Sequence, residues 1–129
     1  MGEYVASQVV KLMIKKGITV NNANLLLLGI TFKENCPDVR NTKIVDVIAA
    51  LQDYGIKVTV FDPLAKSEEV KKEYNIETTQ IVPKQQFDAI VLGVAHTEFL
   101  NLNLSELQNK NSIIYDVKGV LQSGFDGRL

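Results

Sequence analysis

Two cationic side chains and a phenylalanine follow the first long apolar run of this chain. The run spans Leu25–Ile30, and Phe32, Lys33 and Arg40 lie in the polar segment after it. A continuous apolar run is typical of a buried parallel strand, and ligands of open α/β sheets bind beyond the carboxyl ends of such strands. Lysine and arginine before a helix N-terminus suit a phosphate. Composition alone allows a second interpretation, in which both cations are solvated loop residues paired with nearby carboxylates.

A third cation, Lys118, follows the last apolar run, Ser112–Asp116. If all strands are parallel, Lys118 lies at the same edge of the sheet as Lys33, because parallel strands end at a common edge. The sequence therefore predicts that Lys33, Arg40 and Lys118 gather at that edge and hold a diphosphate. Phe32 could contact a ring of the ligand there, although core packing is the commoner role for such a residue.

Three other residues have side chains that could take part in chemistry, but each lacks a partner in the sequence. Cys36 has no general base near it, so we interpret it as a structural or incidental thiol. His96 is the single histidine, and a lone histidine is usually structural or solvated. Asp62 ends the second predicted strand, where a ribose often binds, but it is farther from Gly29 than the usual roughly 20 residues. We therefore interpret Asp62 and Pro63 as a strand stop.

The sequence contains no motif for a cofactor or a metal. Gly29 is the only glycine near the end of the first predicted strand, and no G-x-G-x-x-G dinucleotide fingerprint follows it. No cluster of histidine, cysteine or carboxylate residues has metal-ligand spacing. The sequence thus predicts no metal site and no NAD-binding fingerprint of its own.

Apolar periodicity and turn residues divide the chain into alternating helices and strands. Helical spacing predicts a first helix over about residues 3–16, and Asn41 or Thr42 can cap a second helix that Gly55 ends. The pattern also predicts strands at Leu25–Ile30, Ile56–Phe61, Asp88–Gly93 and Ser112–Asp116, short helices at Ser67–Tyr74 and Ser105–Lys110, and a loose tail with Gly124 and Gly127. This alternation implies a Rossmann-like three-layer α/β domain with a mostly parallel sheet, preceded by one extra N-terminal helix. The strand order does not follow from the pattern.

The overall composition fits one globular domain. The chain has 129 residues, 46% of them hydrophobic and 22% charged, and a net charge of −1. We therefore expect no basic field that recruits nucleic acid or acidic membranes. One cysteine cannot form an internal disulfide, which fits a reducing cytoplasm. No apolar run approaches the ~20 residues that cross a bilayer, and the first residues lack the layout of a signal peptide.

Several segments together resemble one known family. They are Gly29–Thr42, which contains Phe-Lys-Glu-Asn-Cys-Pro-Asp-Val-Arg, then Asp62-Pro63, and then Asp116-Val-Lys-Gly119. Nearly the whole chain is similar to the UDP-binding C-terminal domain of the UDP-glucose/GDP-mannose dehydrogenases. The Val94–Phe99 segment, Val-Ala-His-Thr-Glu-Phe, is most similar to the branch that acts on UDP-N-acetylhexosamines. Those enzymes use NAD to oxidise C6 of the sugar, and they make UDP-hexosaminuronic acids for surface polysaccharides.

The resemblance implies roles for particular residues. Phe32, Lys33 and Lys118 correspond to positions that contact the UDP-sugar, although many relatives carry arginine at the place of Lys118, and a lysine lacks its planar fork. Arg40 corresponds to an arginine that reaches toward NAD bound by another domain. Cys36 does not match the catalytic cysteine, which lies in other domains of such enzymes, as does their NAD fingerprint. No catalytic residue is therefore assigned here, and we expect this piece alone to be inactive.

The resemblance also implies a division of the chain and a function for the whole. Residues 1–20 correspond to the end of a central helix through which such enzymes form homo-oligomers, and residues 21–129 to the UDP-sugar-binding domain. The function expected of the parent is a cytoplasmic NAD-dependent UDP-N-acetylhexosamine 6-dehydrogenase. Two alternatives stay open: a stand-alone nucleotide-binding or regulatory module without catalysis, and a receiver-like or protein-interaction domain. A receiver would need clustered carboxylates after its first and third strands, where this chain has Gly29-Ile30 and Gly93-Val94.

Overall fold

Six parallel strands form a central sheet in this computed structural model, which describes residues 2–129. In chain order the strands are β1 (Asn24–Leu28), β2 (Lys57–Phe61), β3 (Thr78–Thr79), β4 (Phe87–Leu92), β5 (Gln108–Asp116) and β6 (Gly127–Arg128). They lie in the order β3-β2-β1-β4-β5-β6, and every neighbouring pair is parallel. This arrangement confirms the Rossmann-like α/β domain and supplies the strand order that the sequence pattern could not.

Helical elements cover both faces of this sheet. They are α1 (Gly2–Lys15), α2 (Ile44–Asp53), α3 (Ser67–Tyr74), α4 (Thr97–Leu100) and a 3-10 turn at Leu104–Leu107. Successive residues of a strand point to opposite faces, so the leucines of β1 divide between two cores. Leu25 and Leu27 join the core under α1 and α2, whereas Leu26 and Leu28 join the core on the side of α4 and the 3-10 turn. The continuous apolar run thus reflects a strand that is buried on both faces.

The predicted extra helix, α1, is part of the main core. Val5, Val9 and Met13 follow helical spacing and are fully buried, and the helix packs mainly against α2. Tyr4 and Ile14 are exposed, so both lie off the face that Val5, Val9 and Met13 bury. The helix therefore covers the same face of the sheet as α2.

Helix α1 runs from the carboxyl edge of the sheet to its amino edge. Gly2 lies against Asp46 in the first turn of α2, where a Cβ on the glycine would be 2.7 Å from the carbonyl carbon of Asp46. At the other end, Lys16 Nζ donates to the carbonyl of Ser112 at 3.0 Å, and Asn111 Nδ2 donates to the carbonyl of Lys16 at 2.7 Å. Because α2 begins at the carboxyl edge, Gly2 lies at that edge as well.

The segment before β5 corrects one prediction. The helix predicted at Ser105–Lys110 is wrong, because the 3-10 turn ends at Leu107 and β5 begins at Gln108. Asn109 Nδ2 donates to Asp88 Oδ1 at 2.8 Å, which ties this segment to the neighbouring strand β4 and favours an extended backbone. The strand predicted to begin at Ser112 is therefore longer than its apolar run.

The C-terminal tail corrects another prediction. The sequence predicts a loose tail, but Gly127–Arg128 pairs with β5 as β6. The Asp126 carboxylate accepts the backbone N–H of Ile114 at 2.8 Å and lies 3.2 Å from Lys16 Nζ. The tail is thus fixed to β5 and to the end of α1.

Candidate functional site

A cleft lies beyond the carboxyl ends of β1 and β4. Strands β2 and β3 extend the sheet on one side of β1, and β4 pairs with the other side of β1. Such a switch point leaves a crevice in which doubly wound α/β proteins bind ligands. The cleft has a volume of about 180 Å³, and its walls come from the loops after β1, β4 and β5 and from the start of α2. The lining residues are Thr31, Phe32, Asn41, Thr42, Lys43, Ile44, Gly93, Val94, Val117 and Lys118.

Two exposed lysines give this cleft a positive character. Lys118 follows β5, and Lys43 immediately precedes α2. Among the described residues, no carboxylate lines the cleft, and the amino end of α2 adds the partial positive charge of a helix terminus. Phe32 is 55% exposed, so it offers a flat apolar surface to the cleft instead of packing in the core. The combination suits an anionic ligand that carries a ring.

Lys43 is not among the residues predicted from the sequence. Its position directly before a predicted helix could have indicated it, but the sequence pattern marks only Asn41 and Thr42 there, as capping residues. Thr42 does have such a role, since its Oγ1 accepts the backbone N–H of Ile44 at 3.2 Å. Lys33, which was predicted, is exposed and adjoins Phe32 but is not part of the cleft wall.

Arg40 lies apart from this cleft. It lines a second groove of about 540 Å³ between α3 and the loop after β1, together with the half-buried Cys36. Its guanidinium contacts both carboxylate oxygens of Asp38, at 3.1 and 3.2 Å. This side-chain hydrogen bond lowers the pKa of Asp38 and raises the pKa of Arg40. Tyr74 in α3 donates to the carbonyl of Val39 at 2.6 Å, which holds this end of the loop against α3. Of the three cations predicted to gather at one edge of the sheet, Lys118 lines the cleft, Arg40 lines the second groove and Lys33 lines neither.

Asp62 is a fully buried carboxylate that joins the loops after β1 and β2. Its Oδ2 accepts the backbone N–H groups of Ile30 and Thr31, at 2.8 and 3.3 Å. Its Oδ1 accepts those of Leu64 and Ala65, at 2.9 and 3.2 Å. A carboxylate with this many donors is stable as an anion even without water. Asp62 is thus more than the strand stop predicted for it, since it fixes the backbone on two sides of the carboxyl edge.

His96 links Asp62 to the far end of the loop after β1. The imidazole is fully buried, its Nε2 lies 3.0 Å from Asp62 Oδ2, and its Nδ1 accepts the backbone N–H of Asn35 at 2.9 Å. Because Nδ1 accepts a hydrogen bond from a backbone N–H, it carries no proton, and the proton on Nε2 is donated to Asp62. His96 is therefore a neutral structural histidine. The one histidine of the chain is engaged in this way, so it does not activate Cys36.

The environment of Asp62 makes the stability of the protein depend on pH. Burial by itself would raise the pKa of Asp62, but the hydrogen bonds from His96 and from backbone N–H groups outweigh it, and the pKa lies below its ordinary value. The stabilisation by the ionised group is therefore complete above the unfolded-state pKa of about 3.9, and it is lost as pH falls through the lower folded-state value.

We expect this loss to appear when wild type is compared with Asp62→Asn by urea unfolding at a series of pH values. The difference in free energy of unfolding between the two proteins should be constant near neutrality and should shrink below about pH 4. A difference that keeps its neutral value in acid would contradict the assigned pKa direction.

Asp116 has a similar role after β5. It is fully buried, and its Oδ1 accepts the backbone N–H groups of Lys118 and Gly119 at 3.0 and 2.8 Å. Its Oδ2 accepts the backbone N–H of Leu121 at 2.8 Å. The buried carboxylate of Asp116 thus fixes the backbone of the cleft residue Lys118.

The loop after β1 does not fit a dinucleotide such as NAD. In a glycine-rich phosphate loop the backbone N–H groups after the strand face the pyrophosphate, but here those of Ile30 and Thr31 donate to Asp62. Residues 31–41 also contain no glycine. Within residues 2–129, no group of three or more histidine, cysteine or acidic residues could hold a metal ion. No helix in this range is long and apolar enough to cross a membrane.

Comparison with known proteins decides the family. The sequence model described as "UDP-glucose/GDP-mannose dehydrogenase family, UDP binding domain" matches residues 26–123. This chain belongs to the UDP-glucose/GDP-mannose dehydrogenase family. The UDP-N-acetyl-D-glucosamine 6-dehydrogenases of Salmonella typhi and Pseudomonas aeruginosa are 44% and 46% identical to this family member over 94% of its length. The chain spans only 29% of the length of each of these relatives.

Solved structures of the family share the fold of this domain. An NDP-N-acetyl-D-galactosaminuronic acid dehydrogenase from Methanosarcina mazei superposes with a TM-score of 0.81 at 20% identity, over 94% of this chain and 26% of that one. A UDP-D-ManNAc dehydrogenase from Pyrococcus horikoshii gives a TM-score of 0.74 at 20% identity, over 98% of this chain and 30% of that one. The family resemblance expected from the sequence motifs is thus confirmed in sequence and in fold.

Proposed function

We propose that this chain is the UDP-sugar-binding C-terminal domain of an NAD-dependent UDP-N-acetylhexosamine 6-dehydrogenase. Two relatives that carry the name UDP-N-acetyl-D-glucosamine 6-dehydrogenase are similar to nearly all of it. Because the chain spans 29% of their length, the catalytic residues and the main NAD-binding domain would belong to the rest of such an enzyme. This chain alone would hold the nucleotide sugar without oxidising it.

The cleft between β1 and β4 is the observation that carries this proposal. Lys43, Lys118 and the amino end of α2 converge on it, and together they suit the two phosphates of a nucleoside diphosphate. Ligands of drug size occupy pockets of roughly 300–1,000 Å³, so a cleft of about 180 Å³ holds only part of a UDP-sugar. The remainder would extend past Phe32 and Lys33 at the rim.

The position of α1 bears on the proposal that residues 1–20 belong to a central helix. Gly2, at the start of α1, lies at the same edge of the sheet as the cleft. If residues 1–20 are the end of a longer central helix, the preceding domain attaches at this edge and closes over the sugar. The exposed Tyr4 and Ile14 would then face a partner subunit, which supports a homo-oligomeric parent.

This chain would contribute to catalysis by orienting the nucleotide sugar. Hydrogen bonds to the diphosphate fix the nucleotide, and a fixed nucleotide holds C6 of the sugar in reach of groups on the other domains. NAD would supply the oxidising group there, and this chain's loop after β1 does not fit it. Arg40, in the separate groove beside α3, would extend toward NAD bound by the neighbouring domain. We infer a cytoplasmic enzyme whose product, a UDP-hexosaminuronic acid, is used in surface polysaccharides.

We expect UDP to bind the isolated chain and to shift the amide NMR signals of residues 31–44 and 117–119. Lys118→Ala and Lys43→Ala each remove a cationic hydrogen-bond donor to phosphate. A charged hydrogen bond contributes about 1.5–3 kcal/mol, and solvent exposure keeps the loss at the lower end, which corresponds to about a tenfold weaker affinity. Lys33→Ala, at the rim, should have a smaller effect. A titration followed by NMR or calorimetry measures all of these.

Lys57→Ala is the matched control. Lys57 is also an exposed lysine, but it begins β2 and so lies at the amino edge of the sheet, and its removal should leave UDP affinity unchanged. The proposed site would be refuted if Lys43→Ala and Lys118→Ala both bound UDP as tightly as wild type does. It would also be refuted if millimolar UDP produced no shift in the folded wild-type protein.

A further inference from the structure

We propose that Asp62 and His96 act as a buried clamp, a pair of positioning residues that holds the loop Ile30–Asn35 so that Phe32 and Lys33 meet the nucleotide. This inference rests on the proposed function, because it assigns the role of the clamp to the same site. Neither residue lines the cleft, so each would act through the loop and not by touching the ligand.

The clamp holds the loop at both of its ends. At the stem, Asp62 Oδ2 accepts the backbone N–H groups of Ile30 and Thr31. At the tip, His96 Nδ1 accepts the backbone N–H of Asn35 at 2.9 Å. Because His96 Nε2 also donates to Asp62 at 3.0 Å, a single carboxylate orients the stem directly and the tip through the imidazole.

The tip has a backbone conformation that needs such support. Asn35 has a φ of 57°, in the left-handed region that non-glycine residues seldom adopt, although asparagine tolerates it better than most. The Asn35 side chain adds a second tie, since its Oδ1 accepts the backbone N–H of Thr97 at 2.9 Å. Thr97 directly follows His96, so both ties to the tip come from the same short segment after β4.

Packing anchors Ile30 in the main core but does not hold the outer part of this loop in place. Residues 32–35 are all exposed, whereas Asp62 and His96 are fully buried. Within the loop, Thr31 Oγ1 donates to the carbonyl of Lys33 at 3.0 Å, and the Phe32 N–H donates to the carbonyl of Asp38 at 2.7 Å. These bonds shape the loop, and the clamp together with the Asn35–Thr97 hydrogen bond attaches its tip to the segment after β4.

Two substitutions of His96 separate the two halves of the clamp. In His96→Asn the side-chain oxygen can occupy the place of Nδ1 and accept the Asn35 N–H, but the link to Asp62 is lost. In His96→Gln the side-chain amide can reach Asp62 in place of Nε2, but the acceptor for Asn35 is lost. Both variants shorten or reshape a buried side chain, so a role in stability alone would affect them alike.

The test compares UDP affinity of the two variants in the intact chain, at a temperature well below the unfolding midpoint of each. We expect His96→Gln to bind UDP about fivefold more weakly, since one hydrogen bond that fixes the loop is lost. His96→Asn should show a smaller loss, because it keeps the acceptor for the Asn35 N–H and loses only the link that orients this acceptor. If His96→Gln bound UDP as tightly as wild type does, the clamp would be overturned and the proposed function would stand. The same conclusion would follow if both variants lost equal affinity in proportion to their loss of stability.

Amide hydrogen exchange tests the clamp without any ligand. If wild type did not bind UDP, that result would count against the proposed function, and hydrogen exchange would still test the clamp. Exchange of the Asn35 amide hydrogen should be faster in His96→Gln and should stay slow in His96→Asn. Unchanged exchange in His96→Gln would overturn the clamp. If His96→Gln does not fold, Asp62→Asn places an amide nitrogen against the donors on one side of the group and so weakens the hold on the stem or on its link to His96. It should weaken UDP binding by a few fold, and unchanged affinity would then overturn the clamp.

Discussion

Replacement of Asp62 by alanine is expected to lower the free energy of unfolding by about 3–5 kcal/mol, because it leaves the buried donors to this carboxylate without an acceptor. The carboxylate accepts more hydrogen bonds than a typical side chain, and its loss strands every one of its donors. An unsatisfied buried donor costs about 1–3 kcal/mol, but entry of water and movement of the loops keep the total below the simple sum. The donors are the backbone N–H groups of Ile30, Thr31, Leu64 and Ala65 and the Nε2 of His96.

Urea unfolding of Asp62→Ala beside Asp53→Ala measures this effect. Asp53 is also an aspartate but is exposed at the end of α2, so its replacement should change the free energy of unfolding by no more than about 0.5 kcal/mol. If Asp62→Ala lost less than about 1 kcal/mol, the stranded donors would have found other partners. The central role of Asp62 at the carboxyl edge would then be wrong.

The second large effect is expected from Gly29→Ala, at the point where β1 enters the cleft loop. Gly29 has a φ of +95°, and a Cβ there would lie 2.6 Å from the Cβ of Val94 and 3.0 Å from its backbone nitrogen. The backbone conformation costs an L-residue roughly 1–2 kcal/mol, and a forced contact in a packed region adds about 1–3 kcal/mol. We therefore expect a loss of about 2–5 kcal/mol in the free energy of unfolding.

Gly17→Ala separates the two causes of this loss. Gly17 also has a positive φ, +74°, but nothing lies within 4 Å of a Cβ built on it, so only the backbone cost of roughly 1–2 kcal/mol applies. Denaturant unfolding of both variants gives the difference directly. Equal losses would mean that the approach of Val94 to Gly29 is not a tight contact. Because Val94 lines the cleft, Gly29→Ala should also weaken UDP binding.

The elements that the sequence predicts well are those whose signal is local. The run of leucines predicts β1, and the spacing of Val5, Val9 and Met13 predicts α1. Burial of one or both faces imposes each pattern on the residues of a single segment, so the pattern is visible without knowledge of the rest of the chain. The position of Lys118 after β5 and of Phe32 after β1 also follows, because parallel strands deliver the residues after them to one edge.

The parts that the sequence does not predict depend on partners far along the chain. Asp62 and His96 lie 34 residues apart, and Asn109 meets Asp88 across 21 residues. A pattern of residue types carries no record of such pairs, so Asp62 resembled a strand stop and the start of β5 resembled a helix. The separation of Arg40 from the cleft has the same origin, since Tyr74 holds this end of the loop through a hydrogen bond to Val39, 35 residues away.

The parallel pairing of β1 with β4 determines when the binding cleft comes into existence during folding. Leu25 is opposite Ala89 in that pair, so a long stretch of chain must be closed into a loop before the two strands meet, and such contacts of high sequence separation form slowly. The walls of the cleft come from segments after β1, β4 and β5, and none of these segments can form it before the strands are joined. A nucleotide would therefore recognise only the completely folded chain, and by mass action its binding would draw the population toward that state.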